Sequence, residues 1–141
     1  MTPLLADLFF RGIAIGSLAA MGTALARGPS SAAARVAGAL FAASAIAYAL
    51  NSSDVLRTAA AVLYGPIWLL SVAGVGYAWL FLSVLFEDRR LTPGAFTPVA
   101  VLTMMGVAGW LFPPGPGARG MWIAHNLIEA AIALHALRFI A

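Results

Sequence analysis

Long stretches without any charged residue dominate this sequence. Only 9% of all residues are charged and 62% are hydrophobic, whereas a soluble domain carries about 25% charged residues. A helix needs about 20 mostly apolar residues to cross the ~30 Å hydrocarbon core of a bilayer. Four stretches contain no Asp, Glu, Lys or Arg, namely residues 12–26, 36–53, 58–86 and 91–118. The sequence therefore predicts an all-α integral membrane protein.

We predict five transmembrane helices and one short interfacial helix, which together form a single helical-bundle domain over residues 1–141. The stretch 58–86 is too long for one crossing and too short for two, and Gly65-Pro66 divides it. Proline disfavours helix in the residue before it and suits the first turn of the helix after it. Residues Asp54 to Tyr64 are accordingly predicted as the interfacial helix. The predicted spans are 6–26, 34–51, 66–86, 95–112 and 120–140.

The ends of two of these elements carry local signals. Three good N-cap residues precede the interfacial helix, namely Asn51, Ser52 and Ser53. The fourth span is followed by the run Pro113-Pro114-Gly115-Pro116-Gly117, which cannot continue a helix.

The arginines predict the orientation of the chain. Excess Lys and Arg marks the cytoplasmic side of a membrane protein. The loops after the first and third spans hold Arg27, Arg35, Arg89 and Arg90, whereas the alternate loops hold only Arg57 and Arg119. We therefore expect the N-terminus outside and the C-terminus in the cytoplasm. Arg11 opposes this orientation, but Asp7, four residues earlier, can pair with it on one helix face.

The first apolar stretch has one alternative interpretation. Residues 12–26 end in Ala24-Leu25-Ala26, a small-x-small pattern that is typical of a signal-peptide cleavage site. Against it, Asp7 stands where a signal peptide has basic residues, and the apolar run begins before residue 12. We favour a transmembrane helix.

Several function classes are excluded by the residues that the chain lacks. No cysteine is present, which excludes a disulfide framework, a thiolate metal site and a cysteine nucleophile. The chain contains neither a nucleotide-binding glycine motif nor a hydrolase or zinc-protease motif. Its arginines are dispersed rather than clustered, which argues against direct nucleic-acid binding. We predict that the chain is not an enzyme, and no metal site is predicted, since only two histidines are available.

A polar pocket is predicted in the last span. Glu129 lies about nine residues into it, hence ~13 Å deep, and an ionisable group at that depth is by default a functional hypothesis. His125 lies four residues earlier on the same face, and Asn126 is adjacent to it. This pair could relay a proton, bind a metal weakly or hydrogen-bond a polar ligand. Alternatively, the carboxyl group only fixes helix packing.

No cofactor is predicted, although tetrapyrrole ligation is an option for either histidine. His135 follows His125 by ten residues, which places it ~15 Å further along the helix. The two side chains therefore cannot share one metal within a monomer. Each of them alone could be an axial ligand.

Small residues recur every four positions in the first span. Gly12, Gly16 and Ala20 form a GxxxG-type face that lets helices approach closely. Such a face serves either packing inside the chain or a contact with a protein partner or a second copy. We therefore expect the lipid bilayer and such a helix contact as the partners of this chain.

Two segments resemble the membrane portion of integral-membrane AraC-type transcription regulators. Residues 79–91 read WLFLSVLFEDRRL, and the last span contains WIAHNL at 122–127 and LHAL at 134–137. The NSS at 51–53 fits the same layout. Glu87 stands where that family has Asp, and Leu91 where it has an aromatic residue. The resemblance implies a multi-helix sensor domain and a cytoplasmic C-terminus, followed in that family by a DNA-binding domain that these 141 residues do not include.

Together, these features predict a multi-pass, non-enzymatic module of the bacterial inner membrane, of sensor or signal-transduction type. The charged turn Glu87-Asp88-Arg89-Arg90 is expected to face cytoplasmic partners. One alternative is a structural accessory subunit of a respiratory or photosynthetic complex. A small transporter or an intramembrane enzyme is a further alternative that depends on Glu129.

Overall fold

The protein folds into helices joined by short connections. A computed structural model describes residues 2–140, so Met1 and Ala141 of the predicted domain lie outside the described residues. Among the described residues the chain is all-helical, with 85% helix and no strand. These residues form seven α-helices: α1 (Pro3–Arg27), α2 (Ala32–Asn51), α3 (Asp54–Ala59), α4 (Tyr64–Val72), α5 (Gly74–Glu87), α6 (Thr97–Leu111) and α7 (Pro116–Leu137). Short 3-10 turns at Ala61–Leu63 and Pro93–Phe96 precede α4 and α6.

Three helices are long and apolar enough to cross a membrane, namely Pro3–Arg27, Ala32–Asn51 and Pro93–Leu111. A fourth crossing is obtained if Ala61–Val72 and Gly74–Glu87 form one broken span. The fifth predicted span, 120–140, overlaps α7, which is not among these candidates. The polar residues of α7 lower its mean hydropathy. The described residues thus form an all-helical protein in which three or four helices are apolar enough to span a membrane, whereas five crossings and their orientation stay predictions.

The chain divides into two compact units, Met1–Ser71 and Val72–Ala141. In the first unit α1 packs along α2. Small side chains make this contact close, since a Cβ on Gly22 would lie 2.9 Å from the Cβ of Ala42. Arg11 adds polar contacts: its guanidinium pairs with Asp7 at 2.8 Å, which confirms the predicted pair, and donates to the Ser52 hydroxyl at 2.6 Å.

Local signals set most helix ends. Of the three predicted N-cap candidates, Ser53 caps α3, where its hydroxyl accepts from the Leu56 amide. The interfacial helix therefore begins at Asp54 as predicted, although it ends at Ala59 rather than continuing to Tyr64. At the other end of the chain, α6 ends at Leu111, just before the proline-rich run, as predicted. Helix α7 begins at Pro116, inside that run and before the predicted residue 120, because proline suits the first turn of a helix.

The second unit consists of α5, α6 and α7 around a small apolar core. Ala73, Val99 and Leu102 are buried at its centre. Glycines bring the backbones together, because a Cβ on Gly76 would lie 2.9 Å from both N and Cα of Val99. Partly buried hydrophobic residues complete the core, namely Val75, Tyr77, Phe96, Ile128 and Ile132.

The predicted span 66–86 is not one continuous helix, and this corrects the prediction. The helix starts at Tyr64 and is interrupted at Ala73, whose φ of −103° and ψ of 13° depart from α geometry. Gly74 and Gly76 follow the break, and glycine inside a helix is destabilising by roughly 0.5–1 kcal/mol relative to alanine. In addition, the carbonyl oxygen of Val72 receives a hydrogen bond from α7. A hydrogen bond from His125, which is distant in sequence, thus contributes to the geometry of the break.

Candidate functional site

His125 is the most buried polar side chain of α7. Its side chain is almost fully enclosed, at 3% exposure of the residue. The Nε2 atom lies 3.1 Å from the carbonyl oxygen of Val72, next to the helix break. A carbonyl can only accept a hydrogen bond, so Nε2 carries the hydrogen and donates it. His125 therefore connects α7 to the break that precedes α5.

The second ring nitrogen of His125 has no hydrogen-bond partner among residues 2–140 although it is buried. The carboxylate of Glu129 faces this nitrogen, with its Oε2 3.9 Å from Nδ1. That distance is too long for a direct hydrogen bond. The Trp122 ring stands edge-on to the imidazole, with ring centroids 5.4 Å apart. We refer to the buried His125 and the partly exposed Glu129, whose side chain is 27% exposed, together as the buried pair, after its histidine.

The structure brings together two of the three predicted pocket residues. His125 and Glu129 face each other across one turn of α7. Asn126 is exposed, because one residue along an α-helix turns the side chain by about 100°. Sequence reasoning missed Val72, which contributes only its backbone carbonyl, and no residue pattern marks such a group.

His135 belongs to a separate cluster that we call the aromatic cluster, formed by Trp79, Arg89, His135 and Phe139. The indole N–H of Trp79 donates to Nδ1 of His135 at 2.9 Å. The Arg89 guanidinium carbon lies 5.6 Å from the centre of the Trp79 ring, a cation–π arrangement. Phe139 stands edge-on to His135 at 5.5 Å. The cluster joins α5 to the end of α7, and sequence reasoning missed its Trp79–His135 bond because 56 residues separate the two partners.

These contacts restrict what the two histidines can bind. Nε2 of His125 and Nδ1 of His135 are each engaged in a hydrogen bond. Each ring therefore keeps one further nitrogen, Nδ1 in His125 and Nε2 in His135. In the described part of the chain, no group of three or more His, Cys, Asp or Glu side chains is placed to hold a metal ion.

The charged turn lies directly after α5. Glu87 is the last residue of that helix and pairs with Arg89 at 2.6 Å. Asp88 adopts a left-handed conformation with φ of 51°, which ends the helix. Arg90 is exposed. The turn thus presents both signs of charge at the end of α5 that is remote from the buried pair.

The predicted helix-packing face of α1 is not used within its own unit. Gly12, Gly16 and Ala20 are all exposed. No described atom of that unit beyond the local helix approaches within 4 Å of where a Cβ would stand on Gly12 or Gly16. Gly22, in contrast, is in close contact with α2.

Comparison with known proteins adds no relative. No family model, no curated protein and no solved structure matches this chain.

Proposed function

We propose that this chain is a non-enzymatic sensor module of the bacterial inner membrane. The observation that carries the proposal is the buried Nδ1 of His125, which has no hydrogen-bond partner among the described residues and faces the Glu129 carboxylate. Burying a polar atom without a partner costs free energy. Proteins keep such groups inside apolar helices mainly where they bind or transfer something. The buried pair is the proposed sensing site.

Helix α5 is the proposed route from the sensing site to a partner. It begins one residue after Ala73, next to the carbonyl that His125 holds, and ends at Glu87 in the charged turn. Its 14 residues correspond to about 21 Å. A change at the buried pair that shifts the start of α5 would therefore displace the charged turn. The Trp79–His135 bond keeps α5 and α7 together along this route.

Two features of the sequence favour the same interpretation. The segments 79–91 and 122–137 resemble the membrane portion of AraC-type regulators, in which the corresponding helices belong to a sensor domain. The excess of arginine in the loops after the first and third predicted spans favours a cytoplasmic location of the charged turn. In this orientation the turn would meet an attached or associated cytoplasmic domain.

A second copy of the chain is the proposed partner of the Gly12–Gly16 face. This face is exposed and is not used inside its own unit. Glycines spaced by four residues let two helices approach closely in a membrane. Gly16→Leu should therefore abolish self-association, whereas Ala14→Leu, an exposed change on the opposite face of α1, should leave it intact. A parent protein that is monomeric would overturn this part of the proposal.

Native mass spectrometry of the protein extracted from its own membrane tests the proposal as a whole. A mass of one or two copies, alone or with a small adduct, supports an autonomous sensor. A stable mass that includes other subunits or pigments at fixed stoichiometry would instead indicate a structural accessory subunit and refute the sensor function.

Transmission through α5 can be tested separately, because the chain has no cysteine. Arg90→Cys introduces a single thiol, and a polarity-sensitive fluorophore on it reports the surroundings of the charged turn. We expect Glu129→Gln to shift the emission of this label in lipid nanodiscs, and the matched change Asn126→Ser on the exposed face of α7 to leave it unchanged. Identical emission in the Glu129→Gln variant and its parent would refute transmission.

A further inference from the structure

We propose that the buried pair binds a single proton, and that this proton strengthens the hold of His125 on the Val72 carbonyl. The inference rests on the proposed sensor function, since it names the ligand of the same site. It starts from the hydrogen that Nε2 must carry to donate to Val72. In the neutral ring Nδ1 is then a lone-pair acceptor, and it faces a carboxylate oxygen, another acceptor, at 3.9 Å. These two acceptors, one on a buried imidazole and one on a partly exposed carboxylate, have no hydrogen to share.

One proton supplies that hydrogen and keeps the pair electrically neutral. It resides either on Nδ1, as an imidazolium beside a carboxylate, or on Glu129, as a carboxyl group that can donate to Nδ1. In both arrangements the pair as a whole carries no net charge, which an apolar helix bundle favours. A small side-chain rotation closes the remaining distance between Nδ1 and Oε2.

A proton fits this site better than a metal ion or a larger ligand. Protein zinc sites use three or four protein ligands, whereas the described residues offer only His125 and Glu129 here. The edge of the Trp122 ring and the nearly complete burial of the imidazole leave little room beside Nδ1. A divalent cation would also leave net positive charge in an apolar environment.

Among residues 2–140, no other charged group on the helices that pack against α7 competes for this proton. Helix α6 contains no titratable residue over Thr97–Leu111. Helix α5 contributes Tyr77, which packs against the apolar core, and Glu87, which is paired with Arg89. On α7 itself, Arg119 and His135 lie more than one turn away from both members of the buried pair. Glu129 is therefore the carboxylate that controls the proton on His125.

The proton has a mechanical consequence at the helix break. An imidazolium N–H forms a shorter and stronger hydrogen bond than a neutral one. Its partner, the Val72 carbonyl, belongs to the last residue of α4, and cations are favoured at a helix C-terminus. Protonation of Nδ1 therefore tightens the contact between α7 and the break that precedes α5, and loss of the proton loosens it.

Nitrogen NMR of the full chain in lipid bilayers tests the proposal directly. With ¹⁵N-labelled histidine and ¹³C-labelled valine carbonyls, we expect Nδ1 of His125 to change from unprotonated to protonated as the pH is lowered. The chemical shift of the Val72 carbonyl carbon should change over the same pH interval. At a fixed pH within this step, Glu129→Gln should lower the ratio of protonated to unprotonated His125 by about tenfold or more, because the opposite charge is lost.

Two variants keep the test decisive. Asn126→Ser should titrate as the parent does, and Glu129→Asp, which keeps the charge, should restore much of the protonated state if Glu129→Gln folds poorly. A His125 that does not gain a proton on Nδ1 within the pH range of the folded protein overturns the proposal, because a proton held by Glu129 would not strengthen the bond to Val72. Saturable binding of Zn²⁺ that perturbs Nδ1 and is lost in Glu129→Gln overturns it in favour of a metal.

The test is independent of the test of the sensor function. If His125 takes no proton while native mass spectrometry finds one or two copies, only the nature of the ligand is refuted. If His125 titrates as expected but the protein is found in a complex of fixed stoichiometry, the proton site stands and the sensor function fails.

Discussion

Replacing Gly76 by alanine should separate α5 from α6. A Cβ at this position would lie 2.9 Å from both N and Cα of Val99 and 3.1 Å from the carbonyl carbon of Pro98. All three are backbone atoms, so no side-chain rotation can relieve the overlap. The two helices must move apart by several tenths of an ångström, which loosens the core around Ala73 and Leu102.

The expected magnitude follows from two opposing effects. Overpacking a close helix contact costs typically about 1–3 kcal/mol. Alanine is a better helix former than glycine by up to about 1 kcal/mol, and this gain offsets part of the loss. We therefore expect Gly76→Ala to lower the free energy of unfolding by about 1–2 kcal/mol. Gly74→Ala is a matched control, because no atom lies within 4 Å of where its Cβ would stand, and it should be neutral or stabilising by up to about 1 kcal/mol.

Tryptophan fluorescence can follow the relevant unit during denaturation in detergent micelles. Three of the four tryptophans belong to the second unit, namely Trp79, Trp110 and Trp122. The free energy of unfolding obtained from this signal should decrease for Gly76→Ala and not for Gly74→Ala. If both variants unfold alike, α5 does not approach the backbone of α6 at Val99, and the packing argument is wrong.

Two further predictions concern side-chain hydrogen bonds. Arg11→Gln should destabilise the first unit by about 1–2 kcal/mol, because the partly exposed guanidinium donates to the Ala49 carbonyl and the Ser52 hydroxyl at the end of α2. Faster amide hydrogen exchange in that unit would show this destabilisation, and unchanged exchange would contradict it. Trp79→Phe keeps an aromatic ring but removes the donor to His135, so we expect a loss of about 1 kcal/mol and a shifted ¹⁵N resonance of the His135 ring. An unshifted resonance would show that the bond is not formed.

Local patterns account for the parts of the fold that sequence reasoning predicted. The start of α3 follows from Ser53, whose hydroxyl caps the next turn, and the pair of Asp7 with Arg11 follows from their spacing of four residues. Proline and glycine between Leu111 and Pro116 separate α6 from α7. In each case the cause lies within a few residues of its effect.

The helix break and the contact of His125 with the Val72 carbonyl could not be predicted from such local patterns. Ala73 is an ordinary helix former, and although Gly74 and Gly76 weaken the helix after it, the hydrogen bond at the break comes from a residue 53 positions after Val72. The spacing of His125 and Glu129 predicts that they share a face, and they do. Asn126 is adjacent to His125 in sequence, but the helix turns it outward to an exposed position.

The division of the chain after Ser71 has a consequence for biosynthesis. Compact units generally fold in the order of their synthesis, the N-terminal one first. The contacts of α1 with α2 are all encoded before residue 52, so this hairpin can pack early in translation. Val72, in contrast, is made long before His125 reaches it. Until α7 has been synthesised, the carbonyl at the break lacks His125 as its partner, and a ribosome stalled before residue 125 would leave the proposed sensing site unassembled.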